Sequence, residues 1–95
     1  MIAYVVALVT IKDRGKYAAY EERFRDVLTP FGGEILAVED AARVVEGQWP
    51  APRTVILSFP SEDAAKRWYD SEAYQELVQL RADAAEAAIA ILSAR

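Results

Sequence analysis

The chain has no cysteine and no histidine. The first absence excludes a disulfide framework and any thiolate site. The second removes the commonest metal ligand, the usual general base near neutral pH and the usual haem ligand. Any proton transfer falls to carboxylates, tyrosine, lysine, water or the bound ligand itself. Glycine is scarce too, four residues in 95, and none stands in a phosphate-cradling loop or a nucleophile elbow. The 11 Lys and Arg are scattered and outnumbered by 15 Asp and Glu, for a formal net charge of −4. A nucleic-acid partner is therefore not expected, because there is no basic stripe to neutralise phosphates. The apolar opening, MIAYVVALVT, is too short to span a bilayer and lacks the basic start and small-residue cleavage site of a signal peptide. It reads as a first strand, and no membrane partner is expected. A cytoplasmic location follows by default.

What is present is an apolar share of 54%, much of it alanine. The length fits one domain over residues 1–95. A chain this small buries only about two thirds of its unfolded surface, so association adds to its stability.

Residues 2–11 are β-branched and aromatic and predict a strand. Asp13 caps a helix over 14–29, in which Tyr17, Tyr20, Phe24, Val27, Leu28 and Phe31 follow helical spacing. Pro30 and Gly32-Gly33 stop it. Strands are expected at Glu34–Glu39, Arg43–Gly47 and Arg53–Phe59, the first two joined by a tight turn at Asp40-Ala41 and the last two by the loop Gln48–Pro52. Ser61 and Ser71 cap two successive helical segments, so the second helix is broken in two. A short last strand is expected at 89–94, where Ile89 and Ile91 alternate. With Arg43–Gly47 as an additional short strand, the order is β-α-β-β-α-β, the split βαβ arrangement of an α+β, ferredoxin-like sandwich, which lays two helices on one face of a four-stranded antiparallel sheet.

That fold leaves the other sheet face bare. Along the first strand Ile2, Tyr4, Val6 and Leu8 point one way and Ala3, Val5, Ala7, Val9 and Ile11 the other, and neither set is polar. The second face needs a cover, and a second copy packed sheet against sheet is the expected one. Two curved sheets so packed predict a barrel with a ligand cavity between them.

Three features bear on chemistry. Glu46 and Arg53 flank a Trp49-containing loop and are expected to lie opposite each other across a ladder, either as a structural ion pair or as proton acceptor and anion anchor. Arg81 falls inside the apolar stripe of its helix and needs a carboxylate, for which Glu46 or Asp70 are candidates, or else contacts a ligand. Trp49, in a loop between glycine and two prolines, has no packing periodicity and suits an interface anchor or a pocket wall. Tyr17, Tyr20, Trp68 and Tyr74 have core spacing with polar tips that seek partners. Glu21-Glu22 and Glu62-Asp63 read as solvated helix faces or caps. The candidate site is Glu46 and Tyr20 for proton transfer, with Trp49, Arg53, Trp68, Tyr69 and Arg81 for ligand contact, and no metal ligands or cofactor.

The stretch Glu46-Gly47-x-Trp49-x-x-x-Arg53, then Phe59-Pro60-Ser61, Ala64-Ala65-x-x-Trp68-Tyr69-x-Ser71-x-x-Tyr74 and Arg81, resembles the domain of unknown function 1330 family. Asp13, Tyr17, Tyr20 and Gly32-Gly33 fit its amino-terminal half. The resemblance implies the dimeric α/β-barrel form of the ferredoxin-like fold. That wider superfamily includes cofactor-free monooxygenases, haem-degrading enzymes, muconolactone isomerases and stress-responsive proteins, an analogy of fold alone. Two readings stay open. One is a homodimer that binds or transforms a small anionic or aromatic metabolite in a barrel cavity, without metal or histidine. The other is a non-catalytic structural or stress-related homodimer whose barrel is filled by its own side chains.

Overall fold

Val5 sits at the centre of the sheet, opposite Leu57 on one neighbouring strand and Ile91 on the other. A computed structural model of the chain, describing residues 1–95, runs β1 (Ala3–Ile11), α1 (Arg14–Leu28), a 3-10 turn (Thr29–Phe31), β2 (Glu34–Glu39), β3 (Arg53–Phe59), α2 (Glu62–Asp70), α3 (Glu72–Ala82) and β4 (Ala85–Ser93). All strand pairs are antiparallel, in the order β2-β3-β1-β4. This is the ferredoxin-like α+β arrangement, with the second helix broken in two.

Side-chain caps set the helix starts. Asp13 accepts from the Lys16 amide at 3.1 Å and Ser61 from the Ala64 amide at 3.0 Å. Ser71 makes the break between α2 and α3: its hydroxyl donates to the Trp68 carbonyl at 2.7 Å and accepts from the Tyr74 amide at 3.1 Å. One serine thus closes one helix and opens the next. Gly32, at φ 75°, ends the 3-10 turn in the left-handed region that glycine enters without strain.

The core lies between the helices and one sheet face. Trp68, Tyr74, Phe59, Leu28, Leu57, Leu77 and Val5 are fully buried there, each removing roughly 1.5–3 kcal/mol worth of apolar surface from water. On β1 the alternation falls as the period of two requires: Ala3, Val5 and Val9 are buried, while Ile2 and Tyr4 are exposed. Tyr4 and Leu92 pair across the bare face and are both exposed, and Val6, Leu8 and Ile56 beside them are half-buried. Apart from Trp49, whose indole meets the buried Thr54 at one end, this sheet face has no cover within the chain.

Three expectations are corrected. Arg43–Gly47 is not a strand, and Asp40-Ala41 is not a tight hairpin turn; residues 40–52 form one long irregular connection. Nothing lies beside those residues to complete a ladder, so β-branched content alone does not make a strand. The last strand begins at Ala85, well before residue 89, because the whole of β1 offers it pairing partners as far as Ile11. No helix is long and apolar enough to cross a membrane.

Candidate functional site

The helix-facing side of the sheet is floored with small and branched residues, Val5, Ala7, Val9, Val55 and Ala87 among them. Where alanine replaces a larger side chain, the aromatic helices above cannot settle fully onto the sheet. A cavity of about 160 Å³ results, with Tyr17, Tyr20 and Phe24 of α1, Trp68 of α2, and Tyr74 and Arg81 of α3 in its walls. That is close to the volume that takes up a single benzene ring in an apolar protein interior, roughly 150 Å³. Glu21, Arg25 and Val38 also line it and are exposed, which puts its mouth between α1 and β2.

Two guanidinium groups flank the space in contrasting ways. Arg53 is saturated with carboxylates. Its Nε donates to Asp40 Oδ1 at 2.7 Å, Nη2 to Asp40 Oδ2 at 3.0 Å and Nη1 to Glu21 Oε2 at 2.7 Å. Its Cζ also lies 5.6 Å from the centroid of the Tyr17 ring. These hydrogen bonds hold the Asp40 carboxyl below its ordinary range and raise Arg53 further. Arg81 has no carboxylate within ion-pair distance. It is buried, its Cζ is 5.6 Å from the Tyr20 ring centroid, and its Nε has no hydrogen-bond partner. The indole Nε1 of fully buried Trp68 is likewise unpartnered. Both residues contribute to the walls of the one cavity, although the two unpaired nitrogens are themselves closed off from solvent, and an unpaired buried donor is costly.

Between them the hydroxyls of Tyr20 and Tyr74 share a hydrogen bond of 2.8 Å, which either can donate. Burial raises both tyrosines above their ordinary value; the charge of Arg81 acts the other way on each without prevailing. Tyr17 is raised by burial too, against the pull of Arg53. These phenols stay protonated around neutral pH, so they can donate a hydrogen bond or a proton but cannot serve as resting bases.

Tyr20, Arg53, Trp68 and Arg81, of the residues singled out in the sequence, are brought together around this cavity. The other three stand outside it. Glu46 is exposed in the 40–52 connection and does not face Arg53; the long connection gives it no ladder position, and Asp40 and Glu21 take the guanidinium instead. Nor do Glu46 or Asp70 partner Arg81, since Asp70 pairs with Lys66 at 3.1 Å. Trp49 is half exposed and donates from its indole to the Thr54 hydroxyl at 2.8 Å, on the bare face of the sheet. Tyr69 packs against Trp68 and lies under Lys66 rather than in the cavity wall.

The enclosed space in this chain is also on the opposite side of the sheet from the one expected. A single sheet face encloses nothing, whereas helices packed over alanines do. Glu21, read as a solvated helix face, in fact ties Arg53 at the cavity edge. Its position one helical turn after Tyr17 is the signal that marks it. Tyr74 was legible as core, and its hydroxyl contact with Tyr20 was not. Asp40 had no signal, because its role depends on the path of an irregular loop. No group of three or more Asp or Glu gathers as a metal site would need.

The family model described as Domain of unknown function (DUF1330) matches residues 2–94. No curated protein matches the sequence. Among solved structures, the RPA0582 protein of unknown function from Rhodopseudomonas palustris superposes with a TM-score of 0.78 at 19% identity, over 99% of this chain and 82% of that one. A dimeric ferredoxin-like protein of unknown function from Thermobifida fusca gives 0.63 at 12% identity, over 99% and 92%. SnoaB, a cofactor-independent oxygenase from Streptomyces nogalater, gives 0.63 at 10% identity, again over 99% and 92%. At such identities the likeness is one of fold.

Proposed function

The chain belongs to the DUF1330 family, and from that premise we propose that it is a homodimer whose subunits each bind a one-ring aromatic anion in the cavity between helices and sheet. The observation that carries this reading is Arg81, a buried guanidinium without a carboxylate in a cavity that is otherwise mostly apolar. A buried charge persists only where something compensates it, and here a ligand carboxylate or oxyanion is the missing partner. The Tyr20–Tyr74 hydroxyl pair, from two further residues of the cavity wall, supplies a second donor. The one carboxylate in the cavity wall, Glu21, is already committed to Arg53. The vacant positions therefore favour an acceptor-rich ligand and disfavour an amine.

Protonated Tyr20 can stabilise charge that develops on a ring or carbonyl oxygen, as donors do in an oxyanion hole. That SnoaB, of similar fold, is a cofactor-independent oxygenase supports chemistry of this kind without a resident metal. The bare sheet face and the dimeric relative from Thermobifida fusca support the homodimer.

The test is titration of the full chain with benzoate, benzene and benzylamine, followed by amide chemical shifts. Benzoate is expected to bind and to shift the amides of α1 and α3, benzene to bind more weakly, and benzylamine not to bind. Arg81→Met should abolish the preference for benzoate while leaving benzene. Equal binding of benzoate and benzylamine, or an undiminished benzoate response in Arg81→Met, overturns the reading.

A further inference from the structure

Of the tyrosines in the cavity wall, Tyr20 and Tyr74 satisfy each other through one hydrogen bond of 2.8 Å. Tyr17 is left over. It is only 4% exposed, yet no hydrogen bond joins its hydroxyl to another group of the chain. Nor is that hydroxyl sealed off, as Trp68 Nε1 and Arg81 Nε are. For a buried side chain of the wall, the space it opens on is the cavity.

Its neighbours do not take its proton. The Arg53 guanidinium, 5.6 Å from the centre of the Tyr17 ring, has donors and no acceptor. Glu21, one helical turn on, is near enough for its charge to act on the phenol, but its carboxylate is turned to Arg53 at 2.7 Å. Burial raises Tyr17 above its ordinary value, so the proton stays on the oxygen around neutral pH. The result is a fixed O–H donor without an acceptor, in a cavity whose wall is mostly apolar. Such a donor costs stability until a ligand oxygen meets it.

The surrounding charges place that oxygen on the ligand. Arg53 and Glu21 act on the Tyr17 phenol more strongly than Arg81 does. The hydroxyl therefore lies on the Arg53–Glu21 side of the cavity, away from the guanidinium assigned to the carboxylate. The rings of Tyr17 and Tyr20 are 5.2 Å apart, with Arg53 beside the first and Arg81 beside the second. A ligand ring anchored through its carboxylate at Arg81 thus directs its far edge toward Tyr17.

We propose that Tyr17 determines the specificity of this cavity by donating a hydrogen bond to an oxygen on the far edge of the ligand ring, so that the ligand class is a hydroxy- or oxo-substituted aromatic carboxylate. The proposal rests on the anion reading above and narrows it. A ring hydroxyl accepts from Tyr17 and gives its own proton to water at the open mouth.

The test is calorimetric titration of the full chain with benzoate, 3- and 4-hydroxybenzoate, and the matching 3- and 4-methylbenzoates. Methyl and hydroxyl are nearly equal in size, and filling an apolar space favours the methyl. A preference for hydroxyl therefore reads the hydrogen bond alone. In the parent, the better hydroxybenzoate should bind about tenfold more tightly than its methyl counterpart. Tyr17→Phe keeps the ring and its packing, and should bring that ratio to one or below. Benzoate binding in a parent that takes methylbenzoates as well as hydroxybenzoates overturns the proposal and leaves the anion reading standing. A ratio that survives in Tyr17→Phe gives the ring oxygen to another donor, and overturns it too. A parent that binds none of these ligands overturns both.

Discussion

Arg81 holds its guanidinium over the ring of Tyr20, 5.6 Å from the centroid, where a carboxylate would ordinarily stand. A cation–π contact offsets only part of the desolvation of a buried charge. Replacing Arg81 with Met, similar in length and apolar, should therefore raise the melting temperature by about 5 °C, the equivalent of about 1 kcal/mol for a chain of this size. The same variant should lose benzoate. Calorimetric melting with and without benzoate checks both halves, and a large fall in melting temperature would make Arg81 a structural tie.

Arg53 presents the opposite case. It is satisfied on three sides, and its removal leaves the carboxylates of Asp40 and Glu21 facing each other across the mouth of the cavity. Arg53→Met should lower the melting temperature by about 5 °C. Arg53→Lys should recover only part of it, because an ammonium cannot make the two-pronged contact with Asp40.

Acid should release the same latch. The Arg53 hydrogen bonds depress Asp40 below its ordinary value of 3.8. A carboxylate depressed in the folded state contributes stability that is present above 3.8 and lost as pH falls through its folded value. At pH 7 the parent should be more stable than Asp40→Asn, and the two should converge only as the pH falls below 3.8 and through the folded value of Asp40. Denaturant unfolding from pH 7 to pH 2 reads the difference, and parallel curves would remove Asp40 from the latch.

How much of this was legible in the sequence differs by element, for physical reasons. The helix starts were, because Asp13, Ser61 and Ser71 cap through hydrogen bonds that span three residues. The bare sheet face was too, since alternation along β1 has a fixed period. The reach of β4 was not: alanines at 85, 87, 88 and 90 favour a helix locally, and only pairing along β1 overrides them. Nor was the path of residues 40–52, which decides that Asp40 rather than Glu46 meets Arg53. The core placement of Tyr17, Tyr20, Trp68 and Tyr74 followed from helical spacing, while the cavity beneath them and the absence of a carboxylate near Arg81 are facts of tertiary packing alone.

Gly33 marks a tight approach where the chain leaves the 3-10 turn. A Cβ there would lie 2.6 Å from Leu28 Cγ and 2.8 Å from Phe59 Cε1, both in fully buried side chains that cannot move aside. Gly33→Ala should cost about 1–3 kcal/mol through overpacking. Urea unfolding measures it, and a loss below about 0.5 kcal/mol would mean that the core yields there more readily than its packing implies.

Tyr20 and Tyr74 offer a separation of structural from ligand roles. Their hydroxyls satisfy each other at 2.8 Å inside the core. Either Tyr→Phe change leaves the opposite hydroxyl buried without its partner, at about 1–2 kcal/mol. The double change removes both groups and should cost about 1 kcal/mol less than the sum of the singles. Benzoate affinity follows a different rule. If a ligand oxygen accepts from this pair, the double variant should bind severalfold more weakly than the parent even though its stability is largely recovered. Unfolding free energies that simply add would mean that the two hydroxyls do not depend on each other. An unchanged benzoate Kd in the double variant would leave Arg81 to hold the anion without this pair.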